Sequence, residues 1–149
     1  MKIALLGYGK MGKEIESIAI KRNHTIVSKV DKDFIEGEIN SADIAINFSD
    51  PFAAISNISM ALNLNIPVVS GTTGWLKDYS LIKSLSKKNN VGFLYSSNFS
   101  IGVNIFFELN KSLTKLMKGH ENYSVELNEE HHNKKVDSPS GTAISLAND

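Results

Sequence analysis

Between positions 129 and 143 the chain reads Glu-Glu-His-His-Asn-Lys-Lys-Val-Asp-Ser-Pro-Ser-Gly-Thr-Ala. Histidine titrates near neutrality, so His131 and His132 can give or take a proton. Lys134 and Lys135 add cations to the same short loop. Ser140-Gly141-Thr142 reads as a capped helix start, whose free amides and partial positive charge hold anions. Lys plus Arg number 16 and Asp plus Glu 16, a net charge of zero. So much cationic character gathered in one loop of a neutral chain points to a small anion, and a carboxylate suits it. The residues alone are equally consistent with a solvated basic loop ahead of an ordinary capped helix. Adjacent histidines at a strand end point to opposite sides and make poor shared metal ligands. With no cysteine and no histidine pair at zinc spacing, no metal site is expected.

A second stretch with chemical content opens the chain. Residues 2–6 form a short apolar run of the kind a buried parallel strand shows. Gly7-Tyr8-Gly9-Lys10-Met11-Gly12 follows at once, with the spacing G-x-G-x-x-G. Met11, Ile15, Ile18 and Ala19 then recur at helical spacing, and residues 25–30 read as a second strand ending on Asp31. Gly7 suits a tight turn, Gly9 a close backbone approach to a pyrophosphate, and Gly12 close packing of helix on strand. The helix start offers amides to the phosphates. Asp31, about twenty residues past the last glycine, suits hydrogen bonds from ribose hydroxyls. These residues predict a dinucleotide site for NADH or NADPH. The acid favours NAD, and Lys32 beside it favours NADP.

The elements between these two stretches must bring them into use. Residues 42–48 predict a third strand, and Ser49 or Asp50 caps a helix opened by Pro51 and running to residue 64. Residues 65–70 lead into Gly71-Thr72-Thr73-Gly74. A helix over 76–89 and a fifth strand over 91–95 follow, ending in Ser96-Ser97-Asn98-Phe99. Alternating strands and helices predict an α/β fold, a Rossmann-like doubly wound parallel sheet. Ligands of such sheets sit at the carboxyl ends of the strands. That places Gly71, Thr72, Thr73, Ser96, Ser97, Asn98 and Phe99 beside the nicotinamide half of a cofactor. Phe48 and Trp75 read as packing residues. A long helix lies within 101–119, with a broad apolar face. Residues 123–130 alternate like a strand, and a helix starts at Ser140. The expected division is a dinucleotide-binding domain over 1–100 and the first part of an α+β substrate-binding and tetramerisation domain over 101–149.

Composition narrows the classes further. Hydrophobic residues make up 42% and charged residues 21% of 149 residues, as in a globular domain with its own core. Zero net charge leaves no electrostatic argument for nucleic acid or a membrane surface. The absence of cysteine excludes disulfides and a thiol nucleophile, and the expected compartment is the cytoplasm.

The run His131-His132-Asn133-Lys134-Lys135-Val136-Asp137-Ser138-Pro139-Ser140-Gly141-Thr142-Ala143 resembles the HHxxKxDSPSGTA signature of the dihydrodipicolinate reductases. Residues 7–12, 71–74 and 97–104 are similar to that family's other motifs, in the same order. The resemblance implies reduction of 4-hydroxy-tetrahydrodipicolinate, a cyclic dicarboxylate, to tetrahydrodipicolinate with NADH or NADPH, in lysine and diaminopimelate biosynthesis. It implies His131 as general acid/base and Lys135 as second catalytic and substrate-holding group. His132, Gly141 and Thr142 correspond to the carboxylate site. Gly71 to Thr73 and Ser96 to Phe99 match the family's nicotinamide contacts, and Asp31 its ribose-binding acid. Family members continue past the point where this chain stops, so the chain is expected to be a truncated member. The resemblance also implies a homotetramer for full-length members, built through a sheet this chain lacks. Two competitors stand beside it: a dinucleotide-binding module without turnover, and another amino-acid-pathway dehydrogenase of the aspartate type.

Overall fold

A computed structural model describes every residue of the chain except 132 and 134–137. It has two compact units, Met1–Ser96 and Ser97–Asp149. Among the described residues no helix is long and apolar enough to cross a membrane.

The first unit is a six-stranded sheet in the order β3-β2-β1-β4-β5-β6. Its strands are β1 (Lys2–Leu6), β2 (Thr25–Asp31), β3 (Phe34–Gly37), β4 (Ile44–Asn47), β5 (Val68–Ser70) and β6 (Phe93–Tyr95). All neighbours are parallel except β2 and β3. The helices of this unit are α1 (Lys10–Lys21), α2 (Pro51–Asn63) and α3 (Tyr79–Asn89), the last preceded by a 3-10 turn over Leu76–Asp78. Alternate residues of β1 serve two cores, as the pleat requires. Ala4 and Leu6 join Ile58, Leu62, Trp75 and Ile82 of the larger cluster. Ile3 and Leu5 face Ala19 of α1 in the smaller. The sheet is thus covered on both sides, as expected of a doubly wound fold.

The register aligns the strand ends. Leu6 pairs with Val30 on one side and Asn47 on the other; Asn47 pairs with Ser70, and Ser70 with Tyr95. The next residue of each strand extends the ladder by one bond. Gly7 donates to Val30, Phe48 to Leu6, Gly71 to Asn47 and Ser96 to Ser70, at 2.7 to 3.2 Å. The order in which strands are added reverses at β1, with β2 and β3 on one side and β4, β5 and β6 on the other. That is the switch point at which α/β sheets bind ligands.

Two local expectations need correction. β3 was not anticipated: its four residues are all exposed, so no buried face marks it. It closes a hairpin in which Asp31 pairs with Phe34 across the two residues Lys32 and Asp33. Residues 123–130 do not form the expected strand; they run without regular structure and are exposed. Alternation alone cannot make a strand, because its amides and carbonyls need a ladder partner, and none is found among the described residues.

The second unit holds α4 (Ile101–Met117) and α5 (Gly141–Ala147). Ser100 caps α4 at Val103 and Ser140 caps α5 at Ala143. The Asn110 carboxamide joins the two helices by donating to the Leu146 carbonyl at 3.0 Å. α4 buries none of its residues within the described chain, and its apolar face, Ile105, Leu109 and Leu116 among it, lies open.

Ile58 is fully buried between α2 and the sheet. Ile58→Ala is expected to cost about 2–5 kcal/mol of unfolding free energy, measured by urea denaturation.

Candidate functional site

The glycine loop is shaped by contacts that exclude side chains. Gly7 has φ +98°, and a Cβ there would collide with the Phe48 carbonyl. A Cβ on Gly12 would collide with the Gly7 carbonyl oxygen. Gly9 differs, because a Cβ there would meet nothing within 4 Å. Gly9 is also the N-cap of α1, with no side-chain cap bond and no acid in the first turn. Lys10 and Met11 open this helix with their side chains exposed. The helix therefore presents unclaimed amides beside open space, the arrangement that receives a pyrophosphate.

Asp31 is held at the end of β2 by two backbone amides. Tyr8 donates to Oδ2 at 2.9 Å and Lys32 to Oδ1 at 2.8 Å. A carboxylate has about four acceptor positions, so this leaves capacity for ribose hydroxyls. The Tyr8 side chain turns away from this position. Its hydroxyl bonds the Glu16 carboxylate, Lys29 Nζ reaches Glu16 at 2.9 Å, and Lys29 lies 4.8 Å from the Tyr8 ring centroid. The Phe34 ring meets Tyr8 edge-on at 6.0 Å. The bond to Glu16 raises the Tyr8 hydroxyl above its ordinary pKa, helped by burial. The same bond, followed by Lys29, lowers Glu16, and Glu16 raises Lys29.

Along the row of strand ends lies a network that sequence reading missed. Asn47 is fully buried. Its amide donates to Ser70 Oγ at 2.9 Å and Thr72 Oγ1 at 3.1 Å. Its Oδ1 accepts from Ser49 Oγ at 2.9 Å, and the Ser49 amide donates to Thr72 Oγ1 at 2.9 Å. The Trp75 indole N–H donates to the Thr72 carbonyl at 2.6 Å. Thr72 is thus committed to the interior, while Gly71 and Thr73 lie half-buried at the end of β5. A Cβ on Gly71 would enter the Phe48 ring. The available signal was Asn47 itself, a polar residue inside an apolar run.

A cavity of about 590 Å³ opens beside this row. Val30, Asp31 and Lys32 line it from β2 and the hairpin turn. Ser49, Asp50, Phe52, Ala53 and Asn57 line it from the β4–α2 connection and α2, and Gly7 completes it.

In the second unit Asn98 orders its own segment: Oδ1 accepts from the Ser100 amide at 2.8 Å, and its carbonyl from Asn104 at 3.1 Å. Ser97 Oγ lies 3.5 Å from Ser145 Oγ, and Phe99 is partly exposed. His131 Nδ1 lies 3.6 Å from Glu129 Oε2, and Oε1 of the same carboxylate accepts from the Ser140 amide at 2.8 Å. Glu129, another residue missed from sequence, ties His131 to the start of α5, where Gly141 and Thr142 follow. His132 and Lys135 lie outside the described residues. Among the described residues no three His, Asp or Glu side chains gather as metal ligands.

Residues 1–99 match the N-terminal part of dihydrodipicolinate reductase and residues 102–149 its C-terminal part. The chain belongs to the dihydrodipicolinate reductase family. A family relative, the 4-hydroxy-tetrahydrodipicolinate reductase of Christiangramia forsetii, is 54% identical over 99% of this chain and 62% of its own length. That of Thermosipho africanus is 39% identical over 99% of this chain and 66% of its own. The chain thus spans somewhat under two thirds of the length of these dihydrodipicolinate reductases. A hyperthermophilic archaeal homoserine dehydrogenase, solved with NADPH, superposes with TM-score 0.52 at 15% identity, covering 64% of this chain and 43% of that one. At that identity the likeness concerns the fold.

The Tyr8 cluster generates a pH prediction with a defined sign. Tyr8 is raised, so its contribution to stability is present below its ordinary value of 10.0 and lost as pH rises through its higher folded value. Glu16 is lowered, so its contribution is present above 4.5 and lost as pH falls through its lower folded value. Tyr8→Phe should lower the melting temperature by a constant amount around neutrality. The deficit should shrink above about pH 10 and below about pH 4; thermal melts across pH read it directly.

Proposed function

We propose that this chain carries the dinucleotide-binding part and the catalytic loop of a 4-hydroxy-tetrahydrodipicolinate reductase of lysine and diaminopimelate biosynthesis. The observation that carries the reading is the cradle at the row of strand ends. Uncapped α1 amides face open space at Gly9, next to an Asp31 carboxylate fixed by two amides. The names of the relatives supply the substrate, a small cyclic dicarboxylate. The cytoplasm is the proposed compartment and a homotetramer the proposed assembly of the longer protein.

In this reading NADH or NADPH is held by Gly7, Tyr8, Gly9, Lys10, Met11 and Gly12 through the loop backbone and the α1 terminus. Asp31 takes the ribose. Gly71, the backbone amide of Thr72 and Thr73, with Ser96, Ser97, Asn98 and Phe99, serve the nicotinamide side, the Thr72 side chain being spent on Asn47 and Ser49. When bound, the reduced nicotinamide supplies a hydride. Reduction takes in one hydride and one proton and releases the 4-hydroxyl as water. His131 delivers the proton, with Lys135 as partner in proton donation and substrate holding. Glu129, 3.6 Å from His131 Nδ1, orients the ring. His132 and the amides of Gly141 and Thr142 bind a substrate carboxylate, joining cations with helix-terminal donors. Asp31 and Asp50 both line the cavity against the single cation of Lys32, which favours NADH over the more anionic NADPH.

A second reading, dinucleotide binding without turnover, is favoured by the open apolar face of α4 and the lack of regular structure over 123–130. Both readings require NADH binding. Substrate-dependent loss of NADH absorbance supports the first, and binding without it the second.

His131→Gln in any active form should lower kcat by about 10²- to 10⁴-fold with NADH affinity unchanged. A fall in NADH affinity would contradict the role as proton donor. Asp31→Ala should weaken NADH more than NADPH in parallel calorimetric titrations, because the lost acceptor serves the ribose hydroxyls and its charge opposes a 2′-phosphate.

A further inference from the structure

The cavity carries two side chains to which the reading so far gives no role. Phe52, the second residue of α2, is 94% exposed while lining the cavity. Single exposed aromatic residues are common, so exposure alone decides nothing. The second side chain is Asn57, on the same helix and four residues after Ala53, which also lines the cavity. Side chains four apart share a helix face. The Asn57 carboxamide is partly buried and makes no hydrogen bond to another described residue. The lining from β2 includes the buried apolar Val30 before Asp31 and Lys32. The lining therefore includes the charges of Asp31, Asp50 and Lys32. It also includes an exposed aromatic ring, a methyl group and an unused carboxamide.

This set of groups matches a purine base. A base stacks on an aromatic ring through its π face whatever its identity. A carboxamide is more selective: its oxygen accepts from the adenine amino group while its NH₂ donates to the neighbouring ring nitrogen N7. In hypoxanthine that amino group is replaced by an oxygen, which repels the carboxamide oxygen and leaves only one of the two bonds.

We propose that Phe52 and Asn57 form a base-reading pair that makes this dinucleotide site selective for adenine, Phe52 by stacking on the base and Asn57 by pairing with its amino edge. The inference rests on the proposal that the cavity receives NADH.

The test titrates the full 149-residue chain with NADH and with reduced nicotinamide hypoxanthine dinucleotide, followed by calorimetry. The unaltered chain should bind NADH about tenfold more tightly than the hypoxanthine form. Phe52→Ala should weaken both ligands by about tenfold and leave their ratio unchanged, and Phe52→Trp should restore them. Asn57→Ala should weaken NADH and bring the ratio to about one. Phe52 is exposed, so its variants should keep the melting temperature of the parent, which thermal melts verify. Unchanged NADH affinity in Phe52→Ala, or an unchanged ratio in Asn57→Ala, overturns the pair while leaving the dinucleotide reading intact. Failure of the unaltered chain to bind either dinucleotide overturns both.

Discussion

Asn47 sits fully buried at the end of a central strand, with every neighbour in the ladder already engaged. A carboxamide removed from water without partners costs about 1–3 kcal/mol for each orphaned group. Here both donors and the acceptor are satisfied, by Ser70, Thr72 and Ser49. Ser70 belongs to the neighbouring strand, but Ser49 and Thr72 belong to the loops that leave the sheet. Burying Asn47 therefore requires those two loops to adopt one arrangement, and the requirement is met by folding, before any ligand arrives. Such preorganisation reduces what binding must spend on ordering.

The glycine loop is held by a complementary logic. Gly7 and Gly12 are pressed against carbonyl groups, so the turn and the approach of α1 leave no room for a Cβ. Tyr8, between Gly7 and Gly9, anchors the turn to α1, β2 and β3 through Glu16, Lys29 and Phe34. Its backbone amide meanwhile fixes Asp31. One residue thus ties the glycine turn to the acid at the end of β2, although the two are far apart in sequence. The cluster is only partly buried and still reached by solvent, so its value lies in geometry more than in Coulomb energy.

What was legible in the sequence follows from how local each signal is. β1, the glycine loop, α1 and Asp31 could be read together because strand, turn and helix periodicities abut within about thirty residues. Asp50 as the cap of α2 was legible for the same reason, and its carboxylate does accept from the Phe52 amide. β3 was not legible because an exposed edge strand buries no face to create alternation. Residues 123–130 show the opposite failure: they have the alternation without the partner that turns alternation into a ladder. Asn47 and Glu129 escaped notice because each acts through residues distant in sequence, Thr72 for one and Ser140 for the other. Hydrogen-bond networks that close over more than ten positions leave no periodic trace.

The three glycines of the opening loop also separate two kinds of selection. Positions 7 and 12 are forced by the packing of the protein against itself, so any descendant that keeps this sheet and helix must keep them. Position 9 is not: a side chain there would meet no protein atom within 4 Å. A ligand approaching the α1 amides would give a steric reason for glycine at position 9 that the described protein atoms do not. Across related chains, position 9 should therefore be free to vary wherever nothing has to approach these amides, while positions 7 and 12 stay fixed by the fold.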